Sequence, residues 1–202
     1  GNITVNDINN TGDIFLTGET ALTSIIHGIG NISTSTNATK TDITKTTITN
    51  GVFNLTNGEL VFATNTFKNI DEANFTGGIV NLQDNLTKEY NINKFIVNAN
   101  TNFNLDVNIL SSTSGTIDNF TVGEGSTGTI TLTGLTGLER DSIGIADKVE
   151  LIIINNASQN SDIKVTIDEN LKQSLEKEYA VVDYLNTATG IYETTNNSFI
   201  GK

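Results

Sequence analysis

The stretch Asn-Leu-Thr-Asn-Gly-Glu-Leu at residues 54–60 can be laid over Asn-Phe-Thr-Gly-Gly-Ile-Val at residues 74–80. Related units, in which a small turn residue precedes a short run mixing apolar and polar side chains, occur at residues 10–16, 50–55 and 77–82. Gly and Asn tolerate positive φ, so their return at the ends of apolar runs marks corners of the backbone. An offset of about 20 residues is at the low end of solenoid periods, and it predicts short strands stacked in parallel coils.

A meander of β-hairpins is the competing interpretation, because Asn-Gly between apolar runs is also a strong hairpin signal. A meander does not need its turn motif to return at coil-like distances, so the spacing favours parallel stacking. A solenoid filled with Ile, Leu, Val and Phe has no internal cavity for a substrate. Any activity is therefore expected on outer faces or in inserted loops.

The composition fits an all-β chain made mostly of interior strands. The 202 residues include no proline, which cannot donate to a β-ladder, and 36% are hydrophobic. The formal charge of −12 argues against nucleic acid as a partner, because phosphates require clustered Lys and Arg. The absence of cysteine excludes disulfides, Cys-ligated zinc and thiol nucleophiles, and no cofactor is expected.

The same absence of cysteine suits a chain that crosses a membrane unfolded and must avoid oxidative crosslinks. No run approaches the roughly 18 apolar residues of a transmembrane helix, so we expect no membrane insertion by this segment. Its start carries no signal region, and it has no methionine, which suggests a fragment of a longer polypeptide.

Three segments carry more specific structural expectations. Residues 33–50 are rich in Thr with few large aliphatics, and they predict an exposed loop or a Thr-lined outer face. Residues 149–154 are the most apolar run and predict a strand buried on both faces. Residues 168–178 are the only helical candidate, with Asp168 as the cap, and antiparallel strands are expected to close the chain after residue 178.

The C-terminal half resembles the distal end of an autotransporter passenger, the pertactin-like region of type V secreted proteins. The resemblance depends on the order and spacing of strand-like segments, which lie at residues 95–97, 103–109, 115–122, 128–132, 149–154 and 179–184. Within 115–122, Asp118-Asn119-Phe120-Thr121-Val122 is similar to the family's recurring Ser-Asp-x-Leu-x-Val strand, with Phe in place of Leu and Ile in place of Ser.

The resemblance implies a right-handed parallel β-helix with a C-terminal β-sandwich-like cap, displayed at the cell surface or secreted by a Gram-negative bacterium. It implies β-helix coils over residues 1–90 and further coils with an autochaperone region over 91–202. An outer-membrane barrel is expected downstream in the full-length chain. The segment would then serve as a stalk, folding seed and adhesive surface, with a host or bacterial cell-surface protein or glycan as partner. Residues expected to form the cap and folding seed are Val149, Leu151, Ile153, Val165, Ile167, Tyr179, Val181 and Val182.

Catalytic signatures are weak, and the chain is not expected to be an enzyme. His27 is the only histidine, and no Gly-x-Ser-x-Gly elbow accompanies it. Right-handed β-helices include glycan-cleaving enzymes that use paired carboxylates, and the candidate pairs are Glu139 with Asp141, Asp71 with Glu72, and Asp168 with Glu169. With no tryptophan and one arginine, solvation of loops is the simpler role for these acids. Calcium-loop motifs are absent, so no metal site is assigned.

Two alternatives stay open. The first is a β-helical protein of the tailspike or lyase kind that binds or cleaves polysaccharide. The second is a Gram-positive adhesin module with a Lys–Asn isopeptide bond, whose formation releases ammonia and lightens the chain by about 17 Da.

Overall fold

The computed structural model describes residues 1–111, 114–137, 151–156, 160–178 and 191–192. Within these residues the chain is all-β, with a large parallel sheet and one short helix. The strands are β1 (Asn2–Asn9), β2 (Asp13–His27), β3 (Asn31–Thr49), β4 (Val52–Leu55), β5 (Glu59–Phe62), β6 (Glu72–Phe75), β7 (Ile79–Asn81), β8 (Glu89–Ile92), β9 (Phe95–Val97), β10 (Asn102–Ser111), β11 (Ser114–Ile117), β12 (Asn119–Val122), β13 (Thr127–Thr136), β14 (Leu151–Ile152), β15 (Ile154–Asn156), β16 (Asp162–Ile167) and β17 (Ile191–Tyr192). The helix α1 is Glu169–Glu178.

Strand pairing among the described residues is parallel except at β10–β11 and β14–β17. The repeat offset that the sequence predicts is the register of two ladders, since Phe53 pairs with Ala73 and Leu60 with Val80. Parallel pairing is thus confirmed over a hairpin meander.

The parallel ladders form three columns. The first column runs through the start of β3, then β4, β6, β9 and the start of β13. The second runs through the middle of β3, then β5, β7, β10 and the end of β13. The third contains β8, β12 and β15. The long strands β3 and β13 belong to two columns because each changes partner part-way along its length, a pattern consistent with a solenoid.

The three columns face one aromatic core. Phe75 of the first column lies 6.2 Å from Phe62 of the second, measured between ring centroids. Phe120 of the third column lies 6.2 Å from Phe95 of the first and 5.8 Å from Phe103 of the second. All five rings are buried. Rings from different columns touch one another, so the columns enclose a shared interior.

Residues 33–50 agree with one of the two expectations. They form most of strand β3 and not an exposed loop, and threonines such as Thr44 and Thr47 line its outer side. Three further threonines, Thr34, Thr41 and Thr46, are buried, which the sequence did not predict. Thr is β-branched and nearly the size of Val, and its hydroxyl can use a backbone acceptor of a neighbouring strand. Thr46 Oγ1 donates to the Leu22 carbonyl at 2.6 Å. Residues 33–50 contain few apolar core residues because threonine occupies several of their inward-facing positions.

Tight corners between the first and second columns require glycine at two stacked positions. Gly58 and Gly78 both have positive φ, 81° and 79°. A Cβ on Gly78 would lie 2.6 Å from the Gly58 carbonyl oxygen, and one on Gly58 would lie 2.7 Å from the Ala38 carbonyl oxygen. Both the backbone conformation and the close stacking therefore exclude a side chain.

Paired residues in the later ladders are further apart in the sequence because additional residues are inserted at the corners between strands. Tyr90 of β8 pairs with Phe120 of β12, a longer step along the chain than separates the partners in the earlier ladders. Between them β10 continues past the ladder and pairs with β11 in an antiparallel hairpin, with Val107 opposite Ile117. The third column keeps its register across this insertion.

The C-terminal region agrees in part with the sequence. Within the run at residues 149–154, of which 149 and 150 lie outside the described residues, the prediction of a strand buried on both faces is wrong at Ile152. This side chain is 46% exposed while Leu151 and Ile153 on either side of it are buried, so it faces away from the core. The helix is confirmed: Asp168 Oδ1 accepts the N–H groups of Asn170 at 2.9 Å and Leu171 at 3.3 Å. Leu175 is buried against the core, with Leu171 partly buried beside it.

Candidate functional site

A polar groove of about 530 Å³ lies over β3, β5, β7 and β8 in the described part of the chain. Charged side chains of both signs line it: Lys40, Asp42, Glu59, Asp84 and Lys88. The groove lies outside the aromatic core. We call it the corner groove.

The cations of the corner groove are already paired. Lys40 Nζ lies 3.1 Å from Glu59 Oε1, and the hydrogen bond to Glu59 raises the pKa of Lys40. Lys88 forms an ion pair with Asp84. Asp42 accepts the backbone N–H and the hydroxyl of Thr44. With its charges satisfied internally, the groove offers polar surface of mixed sign rather than one strong charge.

One wall of the corner groove is the segment that connects β7 to β8, residues 83–88, which we call the groove loop. Its backbone is fixed by two carboxylates from the base of the β10–β11 hairpin. Asp106 Oδ2 accepts the N–H groups of Asp84 at 2.6 Å and Leu86 at 3.2 Å. Asp118 Oδ1 accepts the N–H of Lys88 at 2.8 Å.

Asp106 and Asp118 are also bonded across the hairpin base. Asp118 Oδ2 accepts the Asp106 N–H at 2.8 Å, and the Asp118 N–H donates to the Asp106 carbonyl at 2.9 Å. The two residues are 2% and 0% exposed. The second oxygen of Asp106, Oδ1, is buried and finds no hydrogen-bond partner in the described part of the chain.

Burial makes the charged state of Asp118 costly. Desolvation raises the pKa of Asp118 to about 7, with the backbone hydrogen bonds opposing the shift and the negative charges of Asp106 and Asp84 adding to it. The neighbouring Tyr90 has a raised pKa for similar reasons, with burial as the largest cause. Asp106 and Asp118 accept backbone N–H groups of the groove loop and do not line the groove themselves. They are therefore placed to position the wall of the groove rather than to contact a ligand in it.

The structure assigns mainly structural contacts to the acidic pairs singled out from the sequence. Asp71 Oδ2 accepts the Gly51 N–H at 2.8 Å. Glu72 lies 2.6 Å from Lys94 Nζ, and this hydrogen bond is the main reason that its pKa is lowered. Asp168 caps α1, and Glu169 accepts a hydrogen bond from Gln173 in the same helix. Glu139 and Asp141 lie outside the described residues.

His27 lies on the surface at the end of β2, where its Nε2 is 2.7 Å from Asp7 Oδ1. Within the described residues, no group of three or more His, Cys, Asp or Glu side chains is arranged to hold a metal ion. Among the same residues, no helix is long and apolar enough to span a membrane.

Half of the proposed folding-seed residues can be placed. Leu151, Ile153 and Val165 are buried, and Ile167 is partly buried against the core. Val149, Tyr179, Val181 and Val182 lie outside the described residues. The placed residues belong to the same interior as the earlier strands.

The Asp106–Asp118 pair was not predicted from the sequence. In β10 the inward residues Phe103, Leu105 and Val107 alternate, so Asp106 falls at a position that the pattern directs to solvent. It is buried because the groove loop covers it. One sequence signal was available: Asp106 lies in β10 and Asp118 directly precedes β12, so the two carboxylates flank the β10–β11 hairpin.

Comparisons with known proteins gave no relative: no family model, no curated protein and no solved structure matches this chain. The fold class therefore depends on the coordinates themselves, an all-β chain with a large parallel sheet and a core shared by three columns.

Proposed function

We propose that this chain is a right-handed parallel β-helix with a β-sandwich-like C-terminal cap, and that it is part of an exported autotransporter passenger. Its role is structural: a stalk displayed at the cell surface or secreted, a seed for folding, and an adhesive surface. The observation that carries the proposal is the aromatic core shared by three parallel columns, because a packed interior leaves function to the outside of the molecule.

The C-terminal region fits the role of a folding seed. An open edge of a parallel sheet exposes unpaired N–H and C=O groups that can template aggregation, so the end of such a stack needs protection. Strand β16 pairs with β13, and α1 follows directly and buries Leu175 against the core. If this region folds first, it provides a sheet edge with which the strands that precede it in the sequence can pair, one after another.

Truncation tests the seed. We expect removal of residues 149–202 to leave the remaining strands sensitive to protease, since the first edge would be missing. Removal of residues 1–51, a deletion of similar size at the other end, should leave residues 52–111 and 114–137 resistant. Equal resistance of both truncated chains would show that the C-terminal region does not seed folding.

The assignment to an exported passenger has its own test. In cells that express the full-length product, protease added outside intact cells should remove this segment. Retention of the segment inside intact cells, with cleavage only after lysis, would contradict display at the surface.

The corner groove favours one alternative, a polysaccharide-binding or polysaccharide-cleaving β-helix. The groove has a polar lining, and its volume of about 530 Å³ is large enough for a few sugar rings. A glycan array combined with a reducing-end assay separates the two functions. Cleavage or binding that is lost in Asp42→Asn, and kept in the distant exposed Asp162→Asn, would replace the structural proposal.

A further inference from the structure

A second cavity, of about 390 Å³, lies between the groove loop, the base of the β10–β11 hairpin and the end of β13. We call it the hairpin cavity. Several of the residues that line it carry side-chain oxygen atoms: Asn85, Thr87, Asp106, Asn108 and Thr136. Asp106 is the one carboxylate among these five, so the lining combines a negative charge with neutral oxygen atoms.

The groove loop, which forms one wall of the hairpin cavity, is held at several points besides its bonds to the two buried carboxylates. The Lys88 carbonyl accepts the Asn119 N–H at 2.9 Å. Thr87 Oγ1 and Thr116 Oγ1 share a hydrogen bond at 2.8 Å. The side-chain amide of Gln83 donates to the hydroxyl at the end of β13 at 2.7 Å. These bonds fix the loop around the cavity, so the oxygen atoms that line it are held in place by the fold.

Asp106 has one carboxylate oxygen that the described residues leave without a partner. Its side chain is 2% exposed, and its Oδ2 accepts two N–H groups of the groove loop at 2.6 and 3.2 Å. Its Oδ1 is buried and has no hydrogen-bond partner among these residues. The N–H donors favour the ionised carboxylate, and a proton on Oδ1 would itself be a buried donor without an acceptor. Buried charged oxygens of this kind are normally paired with a cation or bound to a metal ion.

The charges near Asp106 are of one sign in excess. Asp84, Asp106 and Asp118 carry three negative charges when all are ionised. Lys88, which pairs with Asp84, supplies one positive charge. No ion pair joins Asp106 or Asp118 to a cation in the described part of the chain. Three negative charges and one positive charge leave a local excess of two, which a divalent cation would neutralise.

We propose that the hairpin cavity binds Ca²⁺, with Asp106 Oδ1 as the charged ligand and with neutral oxygens of Asn85, Thr87 and Thr136, together with water, as the others. Ca²⁺ takes about six to eight oxygen ligands in a flexible geometry, whereas Mg²⁺ demands a near-ideal octahedron and gives up its water reluctantly. Ca²⁺ also approaches a carboxylate oxygen to about 2.3–2.6 Å, closer than a water molecule does, so it can reach an oxygen that the surrounding atoms cover.

A bound ion would connect the groove loop to β10 and β13 and so stabilise one wall of the corner groove. The site has one carboxylate ligand and differs from a cluster of three acidic side chains, of which none among the described residues is arranged to hold a metal ion. Few charged ligands give weak binding, and we expect a Kd of about 10⁻⁴–10⁻³ M, the range of extracellular calcium modules. The inference is independent of the proposed function.

Hydrogen exchange of the whole chain, followed by mass spectrometry, tests the site. Chelator-treated protein is compared in CaCl₂, MgCl₂ and NaCl at equal ionic strength and pH. An ion that binds only the closed loop slows its opening by a factor of 1 + [Ca²⁺]/Kd, so about 10 mM CaCl₂ should slow exchange of residues 83–90 by about tenfold or more. Peptides from residues 53–62 should be unaffected. Unchanged exchange of residues 83–90 in CaCl₂, or equal slowing by MgCl₂, would overturn the site.

One substitution assigns the response to Asp106 Oδ1. In Asp106→Asn the side-chain oxygen still accepts the two loop N–H groups, while an NH₂ group that cannot bind a cation replaces Oδ1. Calcium should then no longer slow exchange of residues 83–90. Asp162→Asn removes the same charge at a distant exposed position and should keep the full response. A calcium response that survives in Asp106→Asn, or is lost in Asp162→Asn, would contradict the assignment. The measurement on the parent chain needs no variant to fold, so the proposal can be refuted even if a substituted chain is unstable.

Discussion

Phe75 offers the sharpest test of the shared core. Its side chain is fully buried and its ring lies among four others, with centroids 5.0 Å from Phe95, 5.9 Å from Phe67 and 6.2 Å from both Phe53 and Phe62. These partners come from more than one column. Truncation of Phe75 should therefore weaken contacts across the interior and not only along one ladder.

The expected magnitude follows from burial and ring contacts. Phe→Ala at a buried site costs about 3–5 kcal/mol, and favourable aromatic pairs add about 0.5–1.5 kcal/mol each beyond burial. We expect Phe75→Ala to lower the free energy of unfolding by about 4–5 kcal/mol, roughly a thousandfold in the folding equilibrium. Phe75→Leu fills part of the space and should cost about 1–2 kcal/mol.

Phe15 is the matched control, because it is 64% exposed in β2. Phe15→Ala should change stability by less than about 0.5 kcal/mol. The chain has no tryptophan, so urea unfolding is best followed by far-UV circular dichroism. Equal midpoints for Phe75→Ala and Phe15→Ala would refute a packed interior at this level and, with it, the enclosure of one core by three columns.

Other predictions concern single contacts, each measured by urea unfolding. Gly78→Ala should cost more than about 2 kcal/mol because positive φ and a contact at 2.6 Å both disfavour a Cβ, whereas Gly12→Ala meets no atom within 4 Å and should be tolerated. Thr46→Val should cost about 1 kcal/mol by removing a buried hydroxyl donor, and the exposed Thr47→Val should be neutral; a stabilised Thr46→Val would contradict the contact. Asp168→Ala should cost about 1 kcal/mol through loss of the helix cap, with Asp168→Asn close to the parent chain.

The parallel architecture could be predicted because it depends on local signals that repeat. Turn glycines such as Gly58 and Gly78 recur at the strand spacing, and the inward residues between them are apolar. Over residues 33–50 a Thr-lined outer face was predicted, but composition alone could not show that Thr34, Thr41 and Thr46 face inward. A threonine is polar by type, and only a neighbouring strand decides whether its hydroxyl has a buried partner.

The candidate site could not be predicted for a different reason. The corner groove arises where β3, β5, β7 and β8 come together, and the first and last of these strands lie far apart in the sequence. Asp106 looks like an ordinary solvent-facing acid of β10, and Asp118 like an ordinary acid at the junction of β11 and β12. Their burial follows from the groove loop, a segment that precedes both of them in the chain and that no local pattern connects to them.

The β10–β11 hairpin shows where this architecture can accept foreign sequence. Asp106 and Asp118 tie its two ends together, and the ladder between β8 and β12 resumes in register beyond it. A peptide grafted between these two anchor points would therefore begin and end at fixed positions on a rigid support.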